Sequence, residues 1–267
     1  MLEQLTGIFV SFFANPSAWG IGLAIVFGAI WVAAYWPPLF KRPWLWAILV
    51  GGAILTSLAT AYIQVPLQSL TNLVLELFWN EGTLSQLLLL LSVIPIALIS
   101  GLVQEGSKLV PVVLYWWRKG KNIDPKLGLT IGAVAGVGYG IFEAQWILND
   151  AFASGWSWGS VQTNGLLALA EFWDRFFAVA FHTASCALAG YGLAKGKGWQ
   201  FYLIVSSLHF GIIYIALFRQ ASIITVYQVE GFIAAWAILV STAALWLRWR
   251  TEPATQRDKK GMRKPRR

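Results

Sequence analysis

The chain is 267 residues long, and it is 57% hydrophobic but only 12% charged. An ordinary soluble domain is about 45–50% apolar and about 25% charged. A water-soluble globule is therefore close to excluded, because so much apolar surface would have no core to fill. The only cysteine is Cys186, which also excludes an internal disulfide framework.

The net charge of +8 is concentrated at one end of the chain. Nine of the 20 basic residues, but only two of the 12 acidic ones, lie in segment 248–267. A short basic tail directly after a hydrophobic helix is typical of a segment that contacts anionic lipid. We therefore expect 248–267 to be a disordered cytoplasmic tail that binds anionic lipid, and we expect no nucleic-acid partner.

In chain order, the first 18 residues carry apolar side chains at helical spacing and predict a helix on the outer membrane face. Segment 66–82 is a second candidate for such a surface helix. Seven segments have about the 20 apolar residues that a membrane-spanning helix needs. They are 19–36, 44–64, 84–117, 127–148, 166–194, 199–218 and 230–247. The third is long, and Pro95 and Gly101 are candidate breaks in it.

The basic residues predict the direction in which the chain crosses the membrane. With seven spans and an outside N-terminus, 17 of the 20 basic residues fall on the inner side and only Arg219 falls outside. We predict an all-α, polytopic membrane helix bundle with about seven transmembrane helices and a cytoplasmic C-terminus. Residues 1–247 are expected to form a single integral membrane domain.

Four of the few ionisable residues inside the spans share one depth. We estimate the height of each residue above the inner ends of the spans at about 1.5 Å per helical residue. Glu105 and His182 then lie at about 20 Å, Glu143 at about 25 Å and His209 at about 15 Å. Ionisable groups inside a bilayer are costly and are functional candidates by default. These four residues lie on four different spans but at similar depths in the membrane. The sequence therefore predicts that they form a single site.

Two histidines and two carboxylates suit two kinds of chemistry. Glu143, His182 and His209 could hold a divalent metal such as zinc that activates water. Alternatively, a glutamate takes a proton from water while the histidines stabilise an oxyanion without a metal. The remaining interpretation is a structural polar network that ties the helices together.

Helical spacing assigns supporting residues to this layer. Lys108 lies three residues after Glu105 and four after Gln104, so both side chains can reach it. Arg175 lies four residues after Glu171, which predicts an ion pair and a buttressing role for Arg175.

The fourth span carries a ridge of glycines at four-residue spacing, which predicts close contact with a neighbouring helix. Glu143 follows the last of them by three residues and is thereby aimed into the bundle. The ridge consists of Gly128, Gly132, Gly136 and Gly140.

Four stretches together resemble a known family. They are GLVQEGSKLVPVVLYWWRKGK, GAVAGVGYGIFEAQWIL, FFAVAFHTASCALAGYGLAKGKG and SSLHFGIIY, within residues 85–218. They are similar to the PrsW-type intramembrane proteases and, around GVGYGIFEA, to the YhfC family. Both belong to the type II CAAX prenyl protease superfamily, as does the anterior-pharynx-defective scaffold subunit of gamma-secretase.

The resemblance implies a function and site residues. The family pattern places Glu105 and Lys108 in a Glu-Glu-x-x-Lys motif and adds a functional glutamate and two histidines at Glu143, His182 and His209. Gln104 departs from the pattern, because it stands where the first glutamate of the motif is expected.

The implied activity is hydrolysis of peptide bonds in membrane-associated proteins in a bacterial or archaeal cytoplasmic membrane, with Glu105 or Glu143 activating water. The main alternative is a non-catalytic membrane scaffold that assembles partner proteins, which Gln104 favours. A transporter is a third class, although no inverted repeat is evident.

Overall fold

The computed structural model describes residues 2–78, 90–220 and 223–250. Within these ranges the chain is helical and contains no β-strand, which confirms the predicted all-α polytopic bundle. We number the helices α1 (Leu2–Ser11), α2 (Ala18–Ala33), α3 (Trp44–Ala59), α4 (Val65–Phe78), α5 (Ile94–Arg118), α6 (Pro125–Ala153), α7 (Trp158–Asn164), α8 (Ala170–Ala194), α9 (Gly198–Gln220) and α10 (Val226–Trp249).

Six helical segments of the described chain are long and apolar enough to cross a membrane. They are Trp44–Leu77, Leu90–Arg118, Pro125–Ala153, Trp158–Ala194, Gly198–Arg219 and Val226–Trp249. Each corresponds to one of the predicted spans. The outside N-terminus, the cytoplasmic C-terminus and the exact number of crossings stay predictions.

The first predicted span, 19–36, corresponds to α2, which has 16 residues and is shorter than the other six. Just before α2, the backbone N–H of Ser17 donates to Asn149 Oδ1 near the end of α6 (3.1 Å). Just after it, the carbonyl of Ala34 accepts from Trp249 Nε1 at the end of α10 (3.2 Å). The helix therefore extends along the bundle from the end of α6 to the end of α10.

The start of the fifth predicted span differs from the prediction. The sequence predicts a helix from residue 166, but α8 begins at Ala170, because Gly165–Leu169 form a 3₁₀ turn after the short α7. Gly165 has a φ of +62°, a conformation that glycine adopts without a steric penalty, and it separates the two short segments.

The third predicted span, 84–117, corresponds to α5, which has Pro95 in its first turn; residues 84–89 lie outside the described ranges. The predicted break at Gly101 is wrong, because α5 continues through it. A Cβ atom on Gly101 would overlap the backbone carbonyl oxygen of Ser206 on α9, so this glycine permits helix contact.

A π-helical turn over Thr60–Gln64 joins α3 to α4, and it directs Gln64 into the bundle interior. The candidate surface helix 66–82 is helical up to Phe78, and 79–82 lie outside the described ranges. The predicted N-terminal helix is α1. Of the basic tail, residues 251–267 also lie outside those ranges.

Helices α6 and α8 form the centre of the bundle, and the glycine ridge is their contact. A Cβ atom on Gly132 would overlap the carbonyl oxygen of Cys186, and one on Gly136 would overlap that of His182. The predicted role of the ridge is thereby confirmed. Helix α6 also packs against α2 and α3, while α8 also packs against α9 and α10.

We expect Gly132→Ala to destabilise the protein, because the added methyl group forces α6 away from the α8 backbone. Overpacking of this kind costs about 1–3 kcal/mol. Gly22→Ala is the matched control: Gly22 is also helical, but a Cβ atom there meets nothing within 4 Å. Thermal melting in detergent should show a lower Tm for Gly132→Ala but not for Gly22→Ala. Equal Tm values for the two variants would contradict the close contact between α6 and α8.

Candidate active site

Glu105 is a fully buried carboxylate on α5 that three polar groups surround. Its Oε1 accepts from Lys108 Nζ (2.6 Å) and from Ser185 Oγ (3.2 Å). The same oxygen lies 2.7 Å from His209 Nδ1 on α9. One carboxylate oxygen thus connects α5, α8 and α9 inside the bundle.

Lys108 extends this cluster to His182 on α8. Its Nζ lies 2.8 Å from His182 Nδ1, while His182 Nε2 lies 2.8 Å from Glu143 Oε2 on α6. Because an ammonium group only donates hydrogen bonds, Nδ1 accepts from Lys108, and Nε2 is the ring nitrogen directed toward Glu143. Glu105, Lys108, His182 and Glu143 therefore form one continuous polar chain.

Aromatic rings hold the two histidines in place. The ring centroids of His182 and His209 are 5.4 Å apart. Phe181 packs edge-on against His209 at 5.2 Å, and Tyr139 lies 5.2 Å from His182. These apolar faces restrict the orientation of both imidazoles and exclude water from their sides.

Arg175 contacts the far end of the polar chain. Its Nη1 lies 3.3 Å from Glu143 Oε2, and its Nη2 lies 2.7 Å from Asp174 Oδ2. The predicted Glu171–Arg175 pair is wrong, since the guanidinium is directed toward Glu143 and Asp174 instead. Glu171 is exposed and lines a separate surface pocket with Asp150. The expected buttressing position of Arg175 is nevertheless consistent with its contact to Glu143.

Gln104 and Glu105 face different sides of α5. Gln104 Nε2 donates to Gln64 Oε1 (3.1 Å), and Gln64 in turn contacts Ser100 (3.3 Å). The sequence predicts that both Gln104 and Glu105 reach Lys108. In the structure only Glu105 of the two contacts Lys108, whereas Gln104 contacts Gln64 rather than Lys108.

A cavity of about 60 Å³ lies at the Glu143 end of the cluster. Glu143, Arg175, His182 and His209 line it, together with apolar side chains that include Ile233. Its volume has room for a small number of water molecules. The four groups could act together on a water molecule or a carbonyl group placed there.

Three side chains of the cluster could hold a divalent metal ion, although a metal bound to His182 would replace its contact with Lys108 or with Glu143. Glu105, His182 and His209 each offer one ligand atom, and these atoms lie within 4.8 Å of one another. Glu105 Oε2 is buried and has no hydrogen-bond partner among the described residues, so it is an acceptor that a cation would satisfy. Two histidines and one carboxylate are a ligand set found in zinc hydrolases.

This ligand set differs from the predicted one in one member. The sequence predicts Glu143, His182 and His209 as ligands, whereas the structure brings Glu105 to the two histidines and Glu143 to His182 alone. The assignment of Glu143 as a ligand stays a prediction.

Sequence patterns predicted no role for three residues in or near the site. Ser185 lies one turn after His182, a spacing that places it on the same face. Gln64 reaches the interior through a π-helical turn that no sequence pattern signals. Phe181 is one of many aromatic residues in the spans, so its contact with His209 depends on the packing of α8 against α9.

Buried glutamates and histidines around an internal cavity are the kind of site expected of a membrane-embedded hydrolase. A family model described as PrsW family intramembrane metalloprotease matches residues 41–245, well over half of the chain. The chain belongs to this family, and it is a multi-pass integral membrane protein and a protease. No curated protein and no solved structure matches it. The links to the YhfC family, to the CAAX protease superfamily and to the gamma-secretase scaffold subunit stay predictions.

We expect Lys108→Met to destabilise the fold, because Glu105 would lose its ion-pair partner while it stays buried. Removing one partner of a buried pair costs about 3–5 kcal/mol. The double variant Glu105→Gln/Lys108→Met should regain part of that loss, and Lys41→Met, at an exposed lysine, should have no effect. Thermal melting in detergent measures all three, and an unchanged Tm for Lys108→Met would contradict the buried pair.

Proposed function

We propose that the protein is an endopeptidase that hydrolyses peptide bonds of membrane-associated proteins at the cavity between α6, α8, α9 and α10. The observation that supports this most is the continuous polar chain from Glu105 through Lys108 and His182 to Glu143, which ends at that cavity. A chain of this kind links a carboxylate that can accept a proton to imidazoles that can stabilise negative charge.

Glu105, His182 and His209 are the residues that we assign to hold a divalent metal such as zinc. The orphaned Glu105 Oε2 and the family description support the metal-dependent form of the reaction. When bound, such an ion supplies a Lewis acid for the peptide carbonyl.

Glu143 is the general base in this proposal. Its carboxylate lines the cavity and accepts a proton from the water that attacks the carbonyl carbon. As the carbon–nitrogen bond breaks, Glu143 returns that proton to the leaving amine. The products are one carboxylic acid and one amine, which become a carboxylate and an ammonium ion when the acid proton passes to the amine, and Glu143 regains its starting charge.

Arg175 and Lys108 act through the other residues as positioning groups. Arg175 Nη1 holds one oxygen of Glu143, which favours the ionised carboxylate that a base requires. Lys108 neutralises Glu105 and orients the His182 ring through Nδ1. Neither contact requires direct participation in bond breaking.

We expect Glu105→Gln, Glu143→Gln, His182→Ala and His209→Ala each to lower cleavage of a membrane-peptide reporter by about 100-fold or more. Glu171→Gln is the matched control, because Glu171 is an exposed carboxylate on the same helix as His182. Purified protein in proteoliposomes provides the assay. Cleavage that persists in both Glu143→Ala and His182→Ala would refute the proposal, as would the absence of hydrolysis in a chain that co-purifies with a partner protein.

We expect the purified wild-type protein to contain about one zinc ion per chain, and His182→Ala/His209→Ala to lose it, because two of three ligands are removed. Elemental analysis measures this without reference to activity. Retention of zinc in Glu143→Gln, with loss in Glu105→Gln, would assign the third ligand to Glu105. Equal zinc content in the wild type and the double histidine variant would contradict the metal site.

A further inference from the structure

An apolar groove of about 450 Å³ lies between the start of α8 and the start of α10. We call it the α8–α10 groove. Large side chains that are at least two-fifths exposed form its walls. Its walls include Leu166, Leu167, Trp173 and Tyr227, and its α10 side also carries Glu230 and Gly231.

The α8–α10 groove adjoins the active-site cavity along both helices. On α8, Trp173 lines the groove, while Asp174 and Arg175 line the cavity. On α10, Glu230 lines the groove, and Ile233, three residues later, lines the cavity. Three helical residues advance about 4.5 Å, so a chain bound in the groove reaches the cavity within one helical turn.

Glu230 is the one charged side chain among the residues that line the groove. Its backbone carbonyl accepts from Trp173 Nε1 (3.1 Å), which fixes the position of the residue. Its side-chain Oε2 is buried and has no hydrogen-bond partner among the described residues. Asp174, Arg175 and Arg219 are near enough to interact electrostatically with this carboxylate. Its unpartnered oxygen is an acceptor that one further lysine or arginine side chain would satisfy.

We infer that the α8–α10 groove binds the part of the protein substrate next to the scissile bond, as an apolar segment with one lysine or arginine that pairs with Glu230. The inference rests on the proposed endopeptidase function and adds a substrate class to it. Apolar side chains fill the groove, while the ion pair sets the register of the substrate relative to Glu143.

Gly231 provides a position from which a side chain can fill the groove, because a Cβ atom there meets nothing within 4 Å. Gly231→Leu should lower kcat/KM for the membrane-peptide reporter by about tenfold or more, mainly through KM. Gly22→Leu is the matched control, a helical glycine with equally open surroundings on α2. Equal kcat/KM values in the two variants would overturn the inference, and would indicate a groove that only lipid covers.

A second measurement tests the charge pair. A set of apolar reporters carries a single lysine at successive positions around the mapped scissile bond, and a matched set carries methionine there. The wild type should prefer lysine at one position, and Glu230→Gln should lose that preference, measured as the ratio of kcat/KM for the lysine reporter to kcat/KM for the matched methionine reporter. Glu171→Gln should keep the preference.

The outcomes separate the two proposals. If the wild type cleaves none of the reporters, the endopeptidase function fails and the groove assignment fails with it. If the wild type cleaves them but shows no lysine preference, or if Glu230→Gln retains the preference, the endopeptidase function stands and the groove assignment is wrong.

Discussion

The structure depends on the neutralisation of charge inside an apolar bundle. An isolated ion there carries a large desolvation penalty, so each charge needs a partner within hydrogen-bond distance. Lys108 meets this requirement for two helices at once, since its Nζ contacts Glu105 on its own helix and His182 on α8. This ammonium group therefore links α5 to α8, together with the hydrogen bond from Ser185 to Glu105.

Close backbone contact between α6 and α8 makes the rest of the site possible. Where Gly136 meets the carbonyl of His182, no side chain separates the two helices. Glu143 lies two turns further along α6, and its Oε2 reaches His182 Nε2 directly. With larger residues on the ridge, the helix axes would be further apart, and the carboxylate and the imidazole would no longer be in contact.

The sequence predicts the helices and the membership of the site better than it predicts the contacts within the site. The predicted depths of Glu105, Glu143, His182 and His209 in the membrane placed them in one site. These depths can be calculated because the rise per helical residue is constant and basic residues mark the inner end of each span. The partner of Arg175 was predicted wrongly as Glu171, because i,i+4 spacing permits a pair but does not exclude a better one on another helix. Gln64 depends on a π-helical turn, which hydropathy does not reveal.

Under the proposed endopeptidase function, the substrate would reach the cluster from the side of the cavity. The residues that line it belong to α6, α8, α9 and α10, whereas Glu105 and Lys108 on α5 lie behind the histidines. Buried charges on α5 can therefore stay paired while a peptide approaches from the other side. The Glu105–Lys108 pair is thus separate from the polar residues that line the cavity. Gln104 likewise lies outside the cavity lining, and its Nε2 donates to Gln64.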